Sequence, residues 1–409
     1  MLYRQSWWEQ ARTCAARLAG SRQNVACNIK AWCVARSSAI SAVLVAFLLT
    51  RVTIGAVIAV SLVYIKLDPT MPVPQGAPPI LWGLLRWDSL HLAHIVQYGY
   101  DRGRTPFFPL YPLLVKGLSL LVGNVFVAGL LLSHIALVVA LFYLYALAQD
   151  TYDAATARRA VFYLAAAPAA VFFSAMYKES LFVALATATL YHARKQQWIR
   201  AGLAGALAAA AHDTGVLLKA VIAVEALCYA GVRLSWTLRV SRVAVREQGN
   251  KVAAALPGLA AAAAVPIGLL AYMGYQAYAL GDPLAFLHAE ARWGRSLSPF
   301  SVMRLIPGSL TVSGAFDLLA TLLFIPLVVG VVCQKDTAAT VFTVAVFLLP
   351  LCTGQGTYSM TRFTLELIPC FVLLGRWGRH VWAHRIIIAL SLPTMIYISV
   401  LYSHWAGPA

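Results

Sequence analysis

Residues 86–112 read RWDSLHLAHIVQYGYDRGRTPFFPLYP, and they gather arginine, aspartate and histidine side chains into one segment. The chain around this segment is mostly apolar, since hydrophobic residues make up 61% of its 409 residues and charged residues only 11%. With a mean hydropathy of +0.74, this composition is that of an integral membrane protein surrounded by membrane lipids. Polar groups on this scale beside a membrane usually mark a functional site.

Apolar runs of about 17 to 25 residues are long enough to cross a bilayer as helices. The sequence therefore predicts an all-α polytopic membrane protein with about ten or eleven transmembrane helices. The predicted spans are residues 39–65, 124–147, 160–175, 180–193, 201–230, 252–277, 312–332, 337–351, 364–375 and 385–403. The run at 201–230 is interrupted by AHDTG, which predicts either two short spans or one broken helix. Nothing in the sequence explains Arg51 within the first span.

The distribution of basic residues orients these helices. If the N-terminus is cytoplasmic, twenty Lys and Arg residues fall in inner segments and nine in outer segments, out of 32 in a chain of net charge +17. The positive-inside rule therefore accounts for the charge, and no nucleic acid is predicted as a partner. The nine outer residues cluster beside aromatic and acidic residues, which indicates that they bind an anionic ligand.

The chain divides into a short basic segment and one membrane domain. Residues 1–38 carry basic residues but no continuous apolar run, so they do not resemble a cleavable signal peptide. We expect them to lie on the cytoplasmic membrane surface, with a disordered basic tail as the alternative. Residues 39–409 are predicted to form a single transmembrane domain, whose long outer loops, 66–122 and 278–311, carry short interfacial helices.

Asp88 is the first candidate catalytic residue. In a helix that begins near Trp87, Asp88 and His91 share one face, because positions three apart are neighbours. Asp88 is a candidate general base, with helix capping as its alternative role. His91 and His94 have a spacing that a metal site can use, but without a carboxylate partner they favour hydrogen bonding or phosphate contact. No metal or other cofactor is predicted.

Aromatic residues follow in the FFPLYP motif at residues 107–112. Its prolines lie three apart, which indicates a short kinked helix in the plane of the interface. Phe107, Phe108 and Tyr111 are predicted to border a groove for a lipid chain, or simply to anchor this helix at the level of the headgroups.

Further polar clusters fall at the same predicted outer face. They are Tyr177, Lys178 and Glu179 in a tight turn, His212 and Asp213 in the helix break, Asp282, Arg292 and Arg295 in the second outer loop, and Arg362 before a late span. An acidic residue at the depth of Asp213 costs roughly 2.5 to 3.5 kcal/mol unless it faces a wet cavity or a partner, so a cavity is expected there. Arginine suits phosphate because its planar fork donates two parallel hydrogen bonds. Each residue alone could equally be explained as an interfacial anchor, but their common location at one face favours a single ligand-binding site.

These blocks resemble the PIG-V family of membrane mannosyltransferases, which includes the second mannosyltransferase of GPI-anchor synthesis and many bacterial relatives. The matching residues are Trp87-Asp88-Ser89 with His91 and Gly99-Tyr100, the run 107–112, Phe173-Ser174 with Tyr177 and the run 179–182, the run 281–286 with Trp293-Gly294-Arg295, and Ser359 with Arg362-Phe363. The chain departs from the family at Lys178, where Ser or Thr is commoner, at Thr105-Pro106, and at AHDTG, where the family usually carries Arg. The last departure points to a different acceptor.

The resemblance implies a GT-C glycosyltransferase fold with an extracytoplasmic active site, in a bacterial plasma membrane or facing the lumen of the endoplasmic reticulum. It implies a polyprenyl-phosphate-linked mannose as donor and a lipid- or glycan-linked acceptor. Asp88 takes the position of the acidic residue thought to act as base in such enzymes, and a single displacement would invert the anomeric carbon. Arg362, then Arg295 and Arg292, are expected to stabilise the departing phosphate, with His91 and Lys178 as further candidates. The substrate-binding set is completed by Tyr177, Glu179, Asp282, His212 and Asp213.

Other readings of the sequence remain open. One is a GT-C transferase that uses another polyprenyl-phosphate sugar, such as glucose or arabinose. A lipid or solute transporter would also have many spans and broken helices, but it should concentrate polar groups near the bilayer midplane. This chain concentrates them at one face, which favours an enzyme over a transporter or an inactive scaffold.

Overall fold

The computed structural model describes residues 37–232, 251–295, 311–353 and 356–407, and the chain within these ranges is helical. The helices are α1 (Ser37–Tyr64), α2 (Asp88–Tyr98), α3 (Leu110–Val122), α4 (Val125–Thr151), α5 (Ala154–Ala165), α6 (Glu179–Arg194), α7 (Trp198–Ala211), α8 (Leu218–Tyr229), α9 (Lys251–Ala264), α10 (Ile267–Leu280), α11 (Ala285–Arg292), α12 (Val312–Cys333), α13 (Thr337–Leu351), α14 (Met360–Phe363), α15 (Ile368–Trp377) and α16 (Val381–Ser403). The predicted surface segment 1–38 lies almost entirely outside the described residues, as do residues 296–310 of the second outer loop.

Five helical stretches of the described chain are long and apolar enough to cross a membrane. They are α1, α4, α12, α16 and the stretch Ala253–Leu280, which comprises most of α9 and all of α10. The prediction of an all-α integral membrane protein is confirmed. Several other predicted spans are shorter helices, such as α13 and α15, and the first outer loop carries α2 and α3, as expected of short loop helices.

The predicted span at 160–175 is wrong as a continuous helix. Instead, α5 ends at Ala165, and the chain reaches α6 through turns that include Pro168, which has no N–H to continue the helix. The guanidinium of Arg51 donates to the carbonyl oxygens of Ala165 at 2.6 Å and Ala170 at 2.7 Å, and to the Ser174 hydroxyl at 2.7 Å. The arginine that was unexplained in the first span therefore satisfies the backbone of this buried break.

The predicted interruption at AHDTG is confirmed as two short helices, α7 and α8, joined by a 3-10 helix (Asp213–Leu217). Gly215 permits this turn to pack against α7, because a Cβ atom there would lie 2.3 Å from the carbonyl of Ala208. The nearby α10 also approaches α7 closely at a glycine, since a Cβ on Gly268 would lie 2.0 Å from the Ala206 oxygen. Close backbone contacts thus hold His212 and Asp213 in a fixed place.

Candidate active site

Asp88 is the first residue of α2, and its carboxylate does not cap the helix. The preceding residue, Trp87, has φ 42° and ψ −108°, a backbone conformation that L-residues rarely adopt. Neighbouring groups hold this turn: Arg86 Nε donates to the Ser403 carbonyl at 2.9 Å, and the Tyr177 hydroxyl lies 3.3 Å from the Arg86 oxygen and from the Asp88 nitrogen. Strain of this kind persists only where the surroundings fix it, and here it turns Asp88 toward Arg362.

Arg362 lies between two carboxylates that come from distant parts of the chain. Its Nη1 is 2.5 Å from Asp88 Oδ2, and its Nε is 3.4 Å from Glu179 Oε1. The guanidinium is 7% exposed and lies over the ring of Tyr177 at 5.7 Å. One buried cation therefore faces two carboxylates, so their ionisation depends on the other charges around them.

The two carboxylates ionise differently. Glu179 is completely buried, and neither of its carboxylate oxygens accepts a hydrogen bond. Burial raises the pKa of Glu179, although Arg362 and Lys178 act in the opposite direction. Burial also acts to raise the pKa of Asp88, but the positive charges of Arg362 and Lys178 outweigh it and the pKa falls below its ordinary value. Asp88 therefore favours the ionised form more strongly than Glu179 does.

Glu366 adds another buried carboxyl group, four residues beyond Arg362. Its Oε1 lies 3.2 Å from His212 Nε2, and its Oε2 accepts a hydrogen bond from the Thr214 hydroxyl at 3.2 Å. Burial raises the pKa of Glu366 to about 8 and lowers the pKa of His212 to about 4. Both groups are therefore mostly uncharged at neutral pH, beside the more exposed carboxylate of Asp213, which contacts His212 Nδ1.

His212, Asp213 and Thr214 border a small cavity of about 50 Å³. Its polar lining is completed by Lys178, Glu290, Arg295, Thr353 and Arg362. Lys178 forms no salt bridge with any described residue, and Arg295 Nη1 is a distant 3.8 Å from Glu290 Oε2. A polar cavity does lie beside Asp213, as the sequence predicts, and it has room for a few water molecules.

Two residues that the sequence analysis missed support this site. Asp317, inside α12, is 1% exposed, and its two carboxylate oxygens accept hydrogen bonds from the backbone N–H groups of Ser359 at 2.9 Å and Thr361 at 2.8 Å. Asp317 thereby fixes the turn from which Arg362 projects. Glu366 is the other missed residue. Both are acidic residues in runs assigned to membrane spans, a signal that by itself points to a functional group.

Two predicted site residues of the second outer loop lie away from Asp88. Asp282 pairs with His288 at 2.7 Å and accepts a hydrogen bond from the backbone N–H of Leu284 at 3.0 Å. Arg292 is exposed, and its guanidinium donates to the carbonyl of Arg102 at 2.6 Å. Both side chains are engaged at the loop surface, so their position does not support the predicted substrate and phosphate contacts.

The aromatic rings of the FFPLYP motif, which the sequence predicts to border a lipid groove or to anchor the helix at the interface, find partners inside the protein. Tyr111 is completely buried, and the ring of Phe108 lies 5.3 Å from that of Tyr272. Phe107 is buried too, and it stacks on His91 at 5.3 Å. The motif therefore packs against α2 and positions His91, one turn beyond Asp88 on that helix.

Comparison with known proteins gives one family and one group of solved structures. A family model described as mannosyltransferase (PIG-V) matches residues 33–280. An oligosaccharyltransferase from Archaeoglobus fulgidus, crystallised with Zn and sulfate, is 14% identical with a TM-score of 0.48, and the match covers 90% of this chain and 53% of that one. The archaeal oligosaccharyltransferase AglB from the same organism, in complex with an inhibitory peptide and a dolichol-phosphate, is 13% identical with a TM-score of 0.46, covering 91% of this chain and 56% of that one. The chain thus spans about half the length of these structures. A comparison with curated proteins gives no match.

Proposed function

Because the chain belongs to the mannosyltransferase (PIG-V) family, we propose that it transfers mannose from a polyprenyl-phosphate-linked donor to the hydroxyl group of a lipid- or glycan-linked acceptor. The family model covers more than half of the 409 residues and identifies the protein as a glycosyltransferase. The excess of basic residues in the predicted inner segments supports a cytoplasmic N-terminus and an extracytoplasmic reaction.

The observation that carries the proposal is the pairing of Asp88 with Arg362 at 2.5 Å, next to a cavity that Lys178 and Arg295 line. A general base must be deprotonated before the reaction and within reach of the proton that it removes. Arg362 favours the deprotonated state, and the fixed turn before α2 holds the carboxylate in place. The two cations that face the cavity suit an anionic leaving group.

In the proposed reaction, Asp88 accepts the proton of the acceptor hydroxyl as that oxygen attacks the anomeric carbon. The bond between the anomeric carbon and the phosphate oxygen breaks, and the polyprenyl phosphate leaves with the electron pair. A single displacement inverts the configuration of the sugar. Lys178 and Arg295 stabilise the negative charge on the departing phosphate, whereas Arg362, engaged by two carboxylates, acts through Asp88.

The uncharged groups at the cavity have a different part in this proposal. His212, mostly neutral at pH 7, lines the cavity and is able to exchange hydrogen bonds with sugar hydroxyls without adding charge, and the mostly neutral Glu366 supports it from behind at 3.2 Å. Asp213 accepts further hydrogen bonds at the more exposed side of the cavity. Tyr177 is a positioning residue, because its hydroxyl lies 3.3 Å from the Asp88 nitrogen and from the Arg86 oxygen, on either side of the turn that holds Asp88.

The test is a transfer assay with the purified protein in liposomes. Polyprenyl-phosphate mannose, glucose and arabinose are offered as donors together with a membrane lipid extract as the source of acceptor. We expect transfer of mannose with inversion, as determined from the anomeric configuration of the product by NMR. Asp88→Asn should lower kcat by about 10²- to 10⁴-fold, the usual contribution of a general base.

The matched control is Asp101→Asn in the same loop, where the carboxylate is 45% exposed and pairs with Arg104. This variant should transfer mannose at close to the wild-type rate. Near-normal transfer by Asp88→Asn would refute the base assignment, and transfer of glucose or arabinose alone would refute the sugar. Uptake of a substrate into the liposomes without any covalent product would favour a transporter.

A further inference from the structure

A groove with apolar walls runs between α12 and α16, with further lining residues from α15. Its volume is about 740 Å³, and its walls include Phe316, Leu323, Phe324, Ile386 and Leu390. Both α12 and α16 are long and apolar enough to cross a membrane. The groove therefore lies at the depth of the lipid tails, and its chemistry fits a hydrocarbon chain.

The groove meets a second cavity at one end. This cavity has a volume of about 620 Å³ and shares Trp377 and His380 with the groove as lining residues. Its lining also contains Arg376, Arg379 and Gln334. An apolar groove that ends in a basic pocket matches the two halves of an anionic phospholipid, whose head groups bind basic pockets between membrane helices.

The charge of the basic pocket is not compensated within the described chain. Neither Arg376 nor Arg379 lies within 4.0 Å of a carboxylate of any described residue. Arg376 Nη1 donates to the Tyr152 hydroxyl at 3.3 Å and Arg379 Nε to His380 Nε2 at 3.2 Å, which leaves other guanidinium N–H groups for an anion. No side chain caps the N-terminus of α16 beside the pocket, so its first N–H groups add positive partial charge there.

The basic pocket lies at the opposite membrane surface from Asp88. Helix α16 has 23 residues and is therefore about 34 Å long, slightly more than the hydrocarbon core of a bilayer. Its last residue, Ser403, accepts a hydrogen bond from Arg86 beside the candidate active site, whereas its first residue, Val381, follows His380 of the pocket. The pocket also carries Trp377 at its border with the groove, as is common at the level of lipid head groups.

We propose that the groove and the basic pocket bind one anionic phospholipid from the leaflet opposite Asp88. The lipid phosphate lies at Arg376 and Arg379, and one acyl chain follows the groove. The isoprenoid chain of a sugar donor is another hydrocarbon that fits the groove, but its phosphate would belong at the active-site end and would leave the basic pocket without an anion. The phospholipid site does not depend on the proposed reaction.

The test counts the lipids that the full-length protein retains. The protein is reconstituted in nanodiscs of phosphatidylcholine with a minor fraction of phosphatidylglycerol, released into mild detergent and weighed by native mass spectrometry. We expect wild-type protein to retain one phosphatidylglycerol, and the Arg376→Gln/Arg379→Gln variant to bind it about thirtyfold more weakly. The control variant Arg158→Gln/Arg200→Gln makes the same change of charge at two exposed positions outside the pocket and should retain the lipid.

A second variant tests the groove without changing the arginines. Leu323→Trp should fill part of the groove and lower retention of phosphatidylglycerol, because the acyl chain loses its place. Equal retention by Leu323→Trp, or displacement of the lipid by millimolar inorganic phosphate, would reduce the pocket to a simple anion site and overturn the proposal. Equal retention of phosphatidylcholine, or a polyprenyl phosphate in place of the phospholipid, would overturn it as well. Gel filtration and circular dichroism establish that each variant is folded.

Discussion

Helix α6 carries a cluster of charges at each end, and the two clusters differ in burial and in how their hydrogen bonds are completed. The side chains of the C-terminal cluster are partly exposed, whereas Arg362 and Glu179 of the N-terminal cluster are buried. At its C-terminal end, Arg194 forms an ion pair with Asp336 and donates to the Thr151 hydroxyl at 2.7 Å. Asp336 also accepts a hydrogen bond from the backbone N–H of Ala339 and so caps α13. Among the described residues of this cluster, no carboxylate oxygen is both buried and without a hydrogen bond.

At the N-terminal end of α6, several buried polar atoms have no hydrogen-bond partner. They are both carboxylate oxygens of Glu179, Oε1 of Glu366, Nε2 of His212 and Nε of Arg362. Each buried group that lacks a partner costs about 1 to 3 kcal/mol, so native proteins keep few of them without a reason. The difference supports the proposal that the Arg362 cluster receives a ligand, with the Arg194 cluster as its structural counterpart. The same substitution should therefore act differently at the two ends.

The largest difference is expected between Arg362→Gln and Arg194→Gln. Arg362→Gln removes the charge that keeps Asp88 ionised and in place, so kcat for mannose transfer should fall by about 10²- to 10³-fold. It also leaves the buried Glu179 and the partly buried Asp88 without their cation, which should destabilise the fold by about 3 to 5 kcal/mol. Arg194→Gln should lower stability while leaving the rate per folded molecule unchanged. Transfer rates and thermal unfolding in detergent measure the two effects.

A double variant separates stability from catalysis at the Arg362 cluster. Arg362→Gln/Glu179→Gln removes one uncompensated carboxylate together with the cation, so it should recover part of the lost stability but none of the lost rate. If Arg194→Gln slowed transfer as much as Arg362→Gln at an equal folded fraction, the distinction between a structural and a functional cluster would fail.

A smaller effect is expected at Asp317. In Asp317→Asn one of the two accepting oxygens becomes an NH₂ group, which cannot accept the N–H of Ser359 or Thr361. The turn before Arg362 should loosen, and kcat should fall by about tenfold with little change in KM, as for a positioning residue. The matched change Asp336→Asn keeps a good helix cap and should leave kcat alone. A rise in KM with kcat unchanged would instead mean that Asp317 affects substrate binding.

Features of the structure that depend on interactions between residues close together in the chain could be predicted from the sequence, and those that depend on distant residues could not. The AHDTG break and the helix that begins at Asp88 were predictable, because helix-breaking residues and three-residue spacing act locally. The break after α5 was not, since the arginine that satisfies it lies 114 residues away from Ala165. Asp317 likewise acts on Ser359 across 42 residues. Hydrophobic periodicity predicts helices, but it does not say which faces meet.

The FFPLYP motif illustrates the same limit at the candidate site. Its composition favours the interface level, and the sequence alone does not distinguish a ring that faces lipid from one that faces α10. In the structure Phe108 meets Tyr272 of α10, which follows it by 164 positions in the chain, and so it lies inside the protein. The motif around Asp88 is local, so the sequence alone proposes it as the base, whereas for Arg362 the sequence predicts contact with phosphate and gives no sign of its pairing with Asp88.

The pH dependence that Glu366 introduces tests the difference between the two ends of α6. Its pKa is raised from 4.5 to about 8, so the folded protein holds a proton between these values that the unfolded chain has released. Stability should therefore fall as the pH rises through this window, and transfer should slow above about pH 8, when the new negative charge appears near Glu179. Glu366→Gln should remove the slowing of transfer above pH 8 and the part of the pH dependence of stability that Glu366 contributes, and it should keep the rate at pH 7 close to that of wild type. Rate profiles and melting temperatures from pH 5 to 9 measure this.

The matched carboxyl at the structural end is Glu225, whose pKa burial raises to about 7. Glu225→Gln should change the pH dependence of stability but not that of transfer, because Glu225 lies beside Arg194 and not beside the cavity. If Glu225→Gln changed the pH dependence of the transfer rate and Glu366→Gln did not, the Arg194 cluster would be the functional one and the Arg362 cluster the structural one.

The smallest effect is expected at Asp282, which, like Asp88, stands near the start of a short loop helix within a motif that resembles the family. Asp88 is held against a buried arginine, whereas Asp282 pairs with His288, a side chain that is 64% exposed. Exposed ion pairs contribute little, so Asp282→Asn should change neither the melting temperature nor the rate of mannose transfer measurably. The same Asp→Asn change would then slow transfer strongly at one loop helix and have no measurable effect at the other. That result would make the position beside the buried Arg362, rather than the motif, the property that defines the site. A loss of more than about tenfold in kcat/KM for Asp282→Asn would instead extend the substrate site onto the second outer loop.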